Sequence, residues 1–542
     1  MMPDMLSAPE SIATARHDPF AARDRAGAIA LCAIGFLISA VCGLLHPGGI
    51  LHFDDLTHYL YAKWAWTWPA YLVNDWGRPG FTALYFLPAA FGWEACRLLS
   101  AALTAGSAYL AWSISRQLGI RHAWAAIIFT FAQPVFFQLS QTTLTETALA
   151  FYLALSTHLA IRKHWTVSSI ILSLAFVTRH EAIVFLPIWL AFALREKVPL
   201  RRLWPLLWAP VVVNAVAPLT GSTPAIAQFF NPSGTGQYGR GGWLTFFSRS
   251  MEAFGPGISV LAMIGLTRVQ RAGGNIVTAC IVIYFVAQTA VRALGLYDTG
   301  GYARFLVGIS PLIAVAALAG WMRLYDSDPA SRHWTLALAA GAMGLLWLSA
   351  ERQLALFREG DAIAAEVPKL DTAVKAVRYA VMAVAGSALL GIVSERILGA
   401  KRLAQMVMPT VLVVMIVLAV YALCRPLRPP PEAAIIASAR QQLTQKGYDD
   451  RPLVAASIWM TYVTNQRFPP WRPRLRQQLE SAVDGTLFAW ERQFAGSSDH
   501  NLPLAEFLER PEWRLVLETE PLPHQQDPYL YVFEKSAAPN RR

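Results

Sequence analysis

The chain has 542 residues, of which 55% are hydrophobic, 12% aromatic and only 15% charged. A soluble domain usually has a charged share of about 25%, so this composition excludes an ordinary soluble protein and indicates a polytopic membrane protein. The formal net charge of +11 does not indicate a nucleic-acid partner. Its Lys and Arg residues stand in short clusters between apolar runs, which is typical of topology signals.

The first apolar run, at about 26–45, follows a short basic segment that contains Arg16, Arg23 and Arg25. Because Lys and Arg accumulate on the cytoplasmic side, residues 1–25 are predicted to be a cytoplasmic tail, and the run an uncleaved first transmembrane helix. Residues 46–92 then form the first external loop. Within it, 60–92 is predicted to be a re-entrant or lipid-skimming helix. Its aromatic residues would lie in the headgroup layer: Trp64, Trp66, Trp68, Tyr71, Trp76 and Tyr85.

Twelve further apolar runs predict helices, and basic residues cluster at alternate ends of them. The helices are predicted near 93–115, 122–139, 146–161, 166–178, 182–195, 203–219, 257–268, 274–294, 305–322, 334–350, 376–395 and 404–424. A span at 81–93 would invert all later orientations, but a dozen residues are short for a crossing. The sequence thus predicts about thirteen spans, with the N-terminus inside and the C-terminus outside. It also predicts a long external loop at 220–256.

After the membrane body, which is predicted at 26–424, the long apolar runs end. A proline-rich linker follows, and residues 425–542 alternate polar and apolar positions in short bursts. A helix is predicted at 432–446 and another at about 502–509, with strands near 453–457 and 529–533. The tail is therefore predicted to be a small external α/β domain. The membrane body and this domain together give an α-helical polytopic fold with a small α/β appendage.

This topology places several polar clusters on the same external face. The first is Asp54-Asp55 with His58, followed by Glu146, the Arg179-His180-Glu181 junction, and two arginines, Arg240 and Arg304. Carboxylates can act as general bases, and arginines bind phosphate oxygens bidentately. The combination indicates transfer from a phosphorylated donor to a hydroxyl group.

Simpler interpretations stand beside this one. Glu146 could only stabilise the first turn of a helix, and Arg179 and Glu181 could form an interfacial ion pair. Arg304 could be a membrane anchor. The sequence has no phosphate-binding loop, no His-Glu-x-x-His pattern and no cysteine pair in the predicted tail. Asp54, Asp55 and Glu146 could hold a hard divalent cation, but a base mechanism without a metal needs fewer assumptions. No cofactor is otherwise implied.

The pattern resembles the glycosyltransferase C (GT-C) superfamily, and within it the protein O-mannosyltransferase-like and aminoarabinose transferase-like members. The resemblance covers about residues 27–325. It is carried by Phe53-Asp54-Asp55-Leu56-Thr57-His58-Tyr59, Thr145-Glu146-Thr147, Thr178-Arg179-His180-Glu181 and Tyr302-Ala303-Arg304-Phe305. The chain departs from the family pattern in having Asp55 where many members have Glu, and His58 where many have an aromatic residue.

The resemblance implies an inverting integral membrane glycosyltransferase in the cytoplasmic (inner) membrane, with its site on the periplasmic face. The donor would be a polyprenyl-phosphate-linked sugar, and the acceptor a hydroxyl of a glycan, lipid or protein of the cell envelope. It assigns Asp54, Asp55 and Glu146 to catalysis, with Asp54 as the base that activates the acceptor, Asp55 as its orienting or acceptor-binding neighbour and Glu146 as a second acid of the acceptor site. The donor phosphate would be bound by Arg179, Arg240 and Arg304, with Lys63 and Arg78 from the first loop. Acceptor or sugar would contact His58, Tyr59, Glu181, Tyr238 and Tyr302.

The alternative function is a lipid or glycan flippase or transporter without transferase activity. Such a protein is expected to carry polar groups inside its helices near the bilayer midplane, in repeated halves. Here the polar clusters fall at helix ends on one face. The sequence therefore favours the transferase over the transporter.

Overall fold

The structure is a computed structural model that describes residues 19–230, 240–297, 299–327, 426–492, 494–496, 500–522 and 526–536, together with seven isolated helical residues between 382 and 417. The predicted spans at 334–350, 376–395 and 404–424 lie outside these residues, apart from the isolated ones. So does Tyr238, in the predicted loop 220–256.

The described membrane body is helical, as predicted. Its α-helices are α1 (Pro19–Leu45), α2 (Asp54–Trp64), α3 (Pro79–Ala89), α4 (Trp93–Gln117), α5 (Ala125–Phe131), α6 (Pro134–Leu139), α7 (Thr145–Ile161), α8 (Trp165–Thr178), α9 (Phe185–Arg195), α10 (Trp208–Val216), α11 (Thr245–Ala253), α12 (Pro256–Arg271), α13 (Asn275–Leu294) and α14 (Ser310–Asp326). Short 3-10 helices lie at Pro69–Val73, His180–Val184, Leu200–Arg202, Trp204–Leu207, Ala217–Thr220, Ala225–Phe230 and Ala303–Ile309.

Four of the described helical segments are long and apolar enough to cross a membrane: Arg23–Leu45, Trp93–Gln117, Asn275–Leu294 and Ala303–Asp326. The bent pair α11 and α12 would make a fifth. The chain is thus a multi-pass membrane protein.

The helix predicted at 122–139 is instead two short helices. Proline at the first position of α6 has no backbone N–H, and its ring disfavours the helical conformation for the residue before it. Gln133 is accordingly extended, with φ −81° and ψ 116°. The Gln133 side chain donates to the carbonyl of Ser310 at 2.9 Å and to that of Phe129 at 3.2 Å. The break therefore ties α5 and α6 to the start of α14.

Helices α12 and α14 cross at a contact between two glycines. A Cβ atom on Gly265 would lie 1.8 Å from the carbonyl oxygen of Ala316, and one on Gly320 would lie 1.9 Å from that of Leu261. Any side chain at either position would therefore force the backbones apart. The crossing fixes α14, which follows directly after the segment that contains Arg304.

Charged residues at one end of the helices pair with one another. Asp24 of α1 binds Arg116 of α4 at 3.2 Å. Asp326, at the end of α14, binds Arg268 of α12 at 2.8 Å and also pairs with Arg121. Arg116, Arg121 and Arg268 therefore lie at one end of the described helices, the end at which α1 begins and α4 ends. The acidic and arginine residues singled out above lie at the other end.

The first external loop is packed into the protein more than the sequence predicted. Trp66 and Trp76 are about half exposed, at 49% and 51%, as residues of a headgroup layer could be. Trp64, Tyr71 and Tyr85 are buried, and this part of the prediction is wrong. The first two are covered by the C-terminal segment, whose position the sequence does not reveal.

The C-terminal segment contains a small four-stranded sheet with order β1-β2-β4-β3. Its strands are β1 (Leu453–Ala455), β2 (Leu487–Glu491), β3 (Trp513–Glu518) and β4 (Leu530–Lys535), and its helices are α15 (Pro431–Gln445), α16 (Ile458–Val463), α17 (Leu475–Glu480) and α18 (Leu504–Glu509). β1 and β2 are parallel, and the other pairs are antiparallel. The predicted small sheet is thus present.

The C-terminal segment contacts α2 and α4 through aromatic rings. Tyr462 meets Tyr59 of α2 edge-on, with ring centroids 6.3 Å apart. Tyr462 meets Trp93 edge-on with ring centroids 5.5 Å apart, and Trp459 meets Trp93 at 6.1 Å. The hydroxyl of Tyr71 donates to the carbonyl of Phe468 at 2.7 Å. This aromatic interface holds the segment against the helix that carries Asp54.

Replacing Trp459 with Ala is expected to loosen the aromatic interface. Trp459 is only 3% exposed, and removing a buried Trp side chain costs about 3–5 kcal/mol. Limited proteolysis in detergent should then cleave the proline-rich linker faster than in the wild type. The matched control is Trp471→Ala, since Trp471 is 61% exposed. Equal cleavage of the Trp459 variant and the wild type would contradict the prediction.

Candidate active site

Asp54 and Asp55 open α2, but their side chains face different partners. A carboxylate in the first turn of a helix is favoured by the positive end of the helix dipole. Successive residues of a helix point about 100° apart, so two adjacent carboxylates cannot share one environment. Asp54 is 28% exposed on its side chain, whereas Asp55 is fully buried.

Asp54 is bound by two groups at one carboxylate oxygen. Oδ2 lies 3.0 Å from Nη2 of Arg304 and 3.1 Å from Nδ1 of His52. Burial opposes ionisation of Asp54, but the charge and hydrogen bond of His52 and the charge of Arg304 hold its pKa well below the usual range. Asp54 is therefore an anion at neutral pH.

Asp55 is held by the loop before α7. Oδ1 accepts the backbone N–H of Thr143 at 2.5 Å and also the Thr143 hydroxyl. That hydroxyl in turn accepts the indole N–H of Trp93 at 2.9 Å. Burial raises the pKa of Asp55 to about 7, although the hydrogen bonds from Thr143 oppose this. Asp55 thus connects α2 to the 140–144 loop, and it changes charge near neutral pH.

The raised pKa of Asp55 predicts a pH-dependent stability. The native state favours the protonated acid, so stability should fall as the pH rises from about 4, the ordinary value, towards 7. In Asp55→Asn the amide oxygen still accepts from Thr143, and no charge is buried. The variant should match the wild type in thermal unfolding at pH 4 and exceed it by a few degrees at pH 8. Asp450→Asn, at an exposed position, is the control. A wild-type curve that is flat between these pH values would contradict the assignment.

A chain of alternating charges runs from Asp54 into the protein. Arg304 also lies 3.7 Å, Nε to Oε1, from Glu146, whose side chain is 1% exposed. Oε1 of Glu146 is 2.7 Å from Nη1 of Arg179, and Nε of Arg179 donates to Glu181 at 2.5 Å. The order is therefore Asp54, Arg304, Glu146, Arg179, Glu181. We call these five residues the charged chain.

Helix ends position the inner half of the charged chain. Glu146 is in the first turn of α7, and Arg179 follows the last residue of α8 in an extended conformation with φ −148°. Burial alone would lower the pKa of Arg179, but Glu146 and Glu181 raise it. Neither oxygen of Glu146 accepts a hydrogen bond with good geometry from any described residue. Glu146 therefore keeps hydrogen-bonding capacity for a further donor.

His58 lies one helical turn after Asp54 and is 6% exposed. Its ring centroid is 5.3 Å from that of Phe81. Burial lowers the pKa of His58 to about 3; Asp54 opposes this, and the nearby arginines add to it. His58 is therefore neutral at physiological pH. Within the described residues its Nδ1 has no hydrogen-bond partner.

Beside the charged chain lies a second polar cluster. His180 Nε2 is 2.8 Å from Oδ1 of Asp75, and Nη1 of Arg78 is 2.8 Å from Nδ1 of the same ring. Burial and the charge of Arg78 lower the pKa of His180, so the imidazole is neutral. Arg78 has φ +59°, a strained value for a residue with a Cβ atom. The loop before α3 thus aims a guanidinium group at this end of the bundle.

The structure brings together most, but not all, of the residues that the sequence singled out. The charged chain gathers Asp54, Glu146, Arg179, Glu181 and Arg304. Tyr302 joins them, because its ring lies 5.4 Å from the guanidinium carbon of Arg304. Asp55, His58 and Arg78 are neighbours of the chain.

Three others are placed elsewhere. Lys63 donates to Asn465 of the C-terminal segment at 3.1 Å, roughly 13 Å along α2 from Asp54. Tyr59 stacks on Trp93 within the aromatic interface, with centroids 6.0 Å apart. Arg240 is exposed in the loop before α11. Their predicted roles remain predictions.

Sequence reasoning did not assign His52, Thr143 or Asp75 to the site. His52 stands two residues before Asp54, and this proximity was a usable signal. Thr143 and Asp75 could not be found, because their contacts join segments that are 88 and 105 residues apart in the chain.

The carboxylates of the site do not form a metal ligand set. Asp54 faces His52 and Arg304, Asp55 faces Thr143, and Glu146 faces two arginines. In the described ranges, three or more His, Cys, Asp or Glu residues nowhere converge as ligands for an ion. The divalent cation that the sequence left possible thus has no matching cluster among the described residues.

No protein-family model matches the chain, and no curated protein sequence matches it. Solved structures do. ArnT from Cupriavidus metallidurans in the apo state is similar with a TM-score of 0.53 and 15% identity, covering 95% of this chain and 98% of that one. The same protein bound to undecaprenyl phosphate gives a TM-score of 0.55 and 14% identity, covering 93% and 97%.

ArnT is an aminoarabinose transferase of the GT-C type. The resemblance to GT-C proteins that the sequence predicted is thus confirmed for the fold. At 14–15% identity the likeness concerns the fold alone.

Proposed function

We propose that the protein is an integral membrane glycosyltransferase that moves a sugar from a polyprenyl-phosphate donor to an acceptor hydroxyl. The observation that carries this proposal is the charged chain, which ends at the partly exposed Asp54. A partly exposed anionic group, backed by buried arginines, suits a reaction in which a phosphate leaves and a hydroxyl loses a proton. The ArnT-like fold adds support, since one of those structures holds undecaprenyl phosphate.

For the donor phosphate we favour Arg78 together with Arg304 and Arg179. The two arginines of the charged chain already pair with carboxylates, at 3.0 Å and 2.7 Å. Arg78 instead contacts the neutral ring of His180, and burial lowers its pKa. An incoming phosphate would relieve that cost, because it supplies the opposite charge directly.

For the acceptor we favour His58, Glu146 and Tyr302 as the residues that bind it. His58 and Glu146 both keep polar atoms without a hydrogen bond to any described residue. A sugar or lipid headgroup carries hydroxyls that would satisfy them. Inversion at the anomeric carbon follows if the acceptor attacks opposite the departing phosphate.

The arrangement in the membrane is part of the proposal. The charged chain would face the periplasm. The opposite end of the bundle, with Asp24, Arg116 and Asp326, would face the cytoplasm, because basic residues accumulate on the cytoplasmic side. The proposed topology has about thirteen spans, with an N-terminal tail at 1–25, a membrane body at 26–424 and a periplasmic domain at 425–542. The location would be the inner membrane, and the product a glycan or glycolipid of the cell envelope.

The test is release of the lipid carrier. Purified protein in detergent is incubated with undecaprenyl-phosphate-linked hexoses and pentoses, one at a time, and with a total envelope glycolipid extract. Mass spectrometry then follows free undecaprenyl phosphate and glycolipids that have gained the mass of one sugar. We expect both to appear together with at least one donor. A transporter or flippase would release no carrier, and that result with every donor would refute the proposal.

A further inference from the structure

Transfer of a sugar to a hydroxyl requires a group that accepts the proton of that hydroxyl. A general base works best when its pKa lies near the operating pH. Asp54 is held as an anion by Arg304 and His52, at 3.0 Å and 3.1 Å, and its pKa is well below the usual range. A carboxylate so stabilised binds a proton weakly. Asp54 is thus suited to orient a base or stabilise a cation, and poorly suited to accept the proton itself.

His52 is the group that Asp54 orients. Its side chain is 24% exposed, at the open end of the charged chain. The ring meets Tyr302 edge-on, with centroids 5.8 Å apart, and its Nδ1 faces Oδ2 of Asp54 at 3.1 Å. The charged groups beside the ring are Asp54 from its own segment and Arg304 from the 303–309 turn. His58, one turn further along α2, is neutral.

One tautomer of His52 leaves the outer nitrogen available. If Nδ1 carries the hydrogen, it donates to Asp54 at 3.1 Å, and Nε2 has a lone pair. In the other tautomer, Nδ1 would accept the backbone N–H of Asp54 at 3.3 Å. The first contact is shorter and has an ionised acceptor, so it is the stronger hydrogen bond. The carboxylate therefore selects the form of the imidazole that can receive a proton.

We propose that His52, oriented by Asp54, is the general base that removes the proton from the acceptor hydroxyl. This inference rests on the proposed function. It assigns a catalytic role to His52 and makes Asp54 a positioning residue that stabilises the imidazolium.

The step balances without a further reagent. The acceptor O–H bond breaks, its proton passes to Nε2 of His52, and the oxygen bonds to the anomeric carbon of the donor. The bond from that carbon to the phosphate oxygen breaks, and its electron pair leaves with polyprenyl phosphate. The imidazolium lies beside Asp54 until the proton passes to solvent through the open end of the site.

Two variants of His52 separate a base from a structural residue. In His52→Asn the amide N–H can replace Nδ1 as a donor to Asp54, but no atom replaces Nε2. In His52→Ala the ring is absent, which leaves space for added imidazole. The control is His122→Asn, because His122 is exposed outside the site and has φ +55°, which asparagine tolerates. Rates are measured by release of undecaprenyl phosphate, as in the assay above, between pH 5 and pH 9.

We expect the Asn variant to lose roughly 10²–10⁴-fold in kcat/KM, the usual contribution of a general base. Imidazole should restore part of the rate of the Ala variant in proportion to its concentration. The wild-type rate should fall on acidification, because a protonated imidazole cannot accept a proton, and this fall should be absent from the Ala variant. The His122 variant should behave as the wild type.

The inference is overturned if the Asn variant keeps its rate. It is equally overturned if imidazole restores nothing to the Ala variant and the residual rate of that variant still falls on acidification, because His52 would then only support the structure. Both outcomes leave the proposed function standing, since the wild type still releases carrier. Failure of the wild type with every donor would remove the function and, with it, this inference.

Discussion

Replacing Asp54 with Asn is expected to abolish transfer while leaving folding and membrane insertion intact. Asn is nearly the same size, but it carries no charge for His52 or Arg304. Loss of a carboxylate that orients a catalytic imidazole lowers kcat by about 10⁴ in a well-studied hydrolase, and we expect about 10³–10⁴ here. The measurement is the release of undecaprenyl phosphate in the purified variant.

Asp24→Asn is the matched control for Asp54→Asn. Asp24 also pairs with an arginine, Arg116 at 3.2 Å, but at the opposite end of the bundle. Its replacement should change the rate less than twofold, since an exposed ion pair contributes only about 0–1 kcal/mol. Gel filtration in detergent verifies that both variants fold. A fully active Asp54 variant would remove this residue from the site.

Replacing Arg304 with Ala is expected to have the second large effect. The side chain is 9% exposed and lies between Asp54 and Glu146. Without Arg304, the carboxylates of Asp54 and Glu146 each lose a positively charged partner. Breaking a buried ion pair of this kind costs about 3–5 kcal/mol. Thermal unfolding should shift downward by several degrees. Activity should fall by at least about 10²-fold, because a cation near the leaving phosphate is lost.

Kinetics would assign the role of Arg304 more closely. If it binds the donor phosphate, the KM for the donor should rise far more than the KM for the acceptor. Arg271→Ala, at the exposed end of α12, is the control and should leave both unchanged. An Arg304 variant with an unaltered donor response would return this residue to a purely structural role as the partner of Asp54 and Glu146.

The sequence predicted which residues share a face but not how they touch. Hydropathy and the alternation of basic clusters placed Asp54, Glu146, Arg179 and Arg304 at the same end of the helices. That much follows from the cost of charge in a membrane, which is read locally along the chain. Contact between segments 250 residues apart, as in Arg304 and Asp54, depends on packing that no local pattern encodes.

Two residues that are close to Asp54 in the sequence lie against other partners in the structure. Lys63 and Tyr59 follow Asp54 closely and were grouped with it. Helix α2 turns them towards Asn465 and Trp93 instead. The partner of Lys63 lies about 400 residues further along the chain, in the C-terminal segment, and no local pattern indicates this contact. Only His52, on the N-terminal side of Asp54, could have been added by proximity alone.

The glycine crossing of α12 and α14 sets a limit on how this protein can be re-engineered. Gly320 lies ten residues after the start of α14, or roughly 15 Å from the turn that carries Arg304. A methyl group at either glycine would force the two backbones apart, and α14 would carry this displacement to that turn. Mutant libraries aimed at new sugars or acceptors should therefore hold Gly265 and Gly320 fixed and place their diversity around Tyr302 and His58.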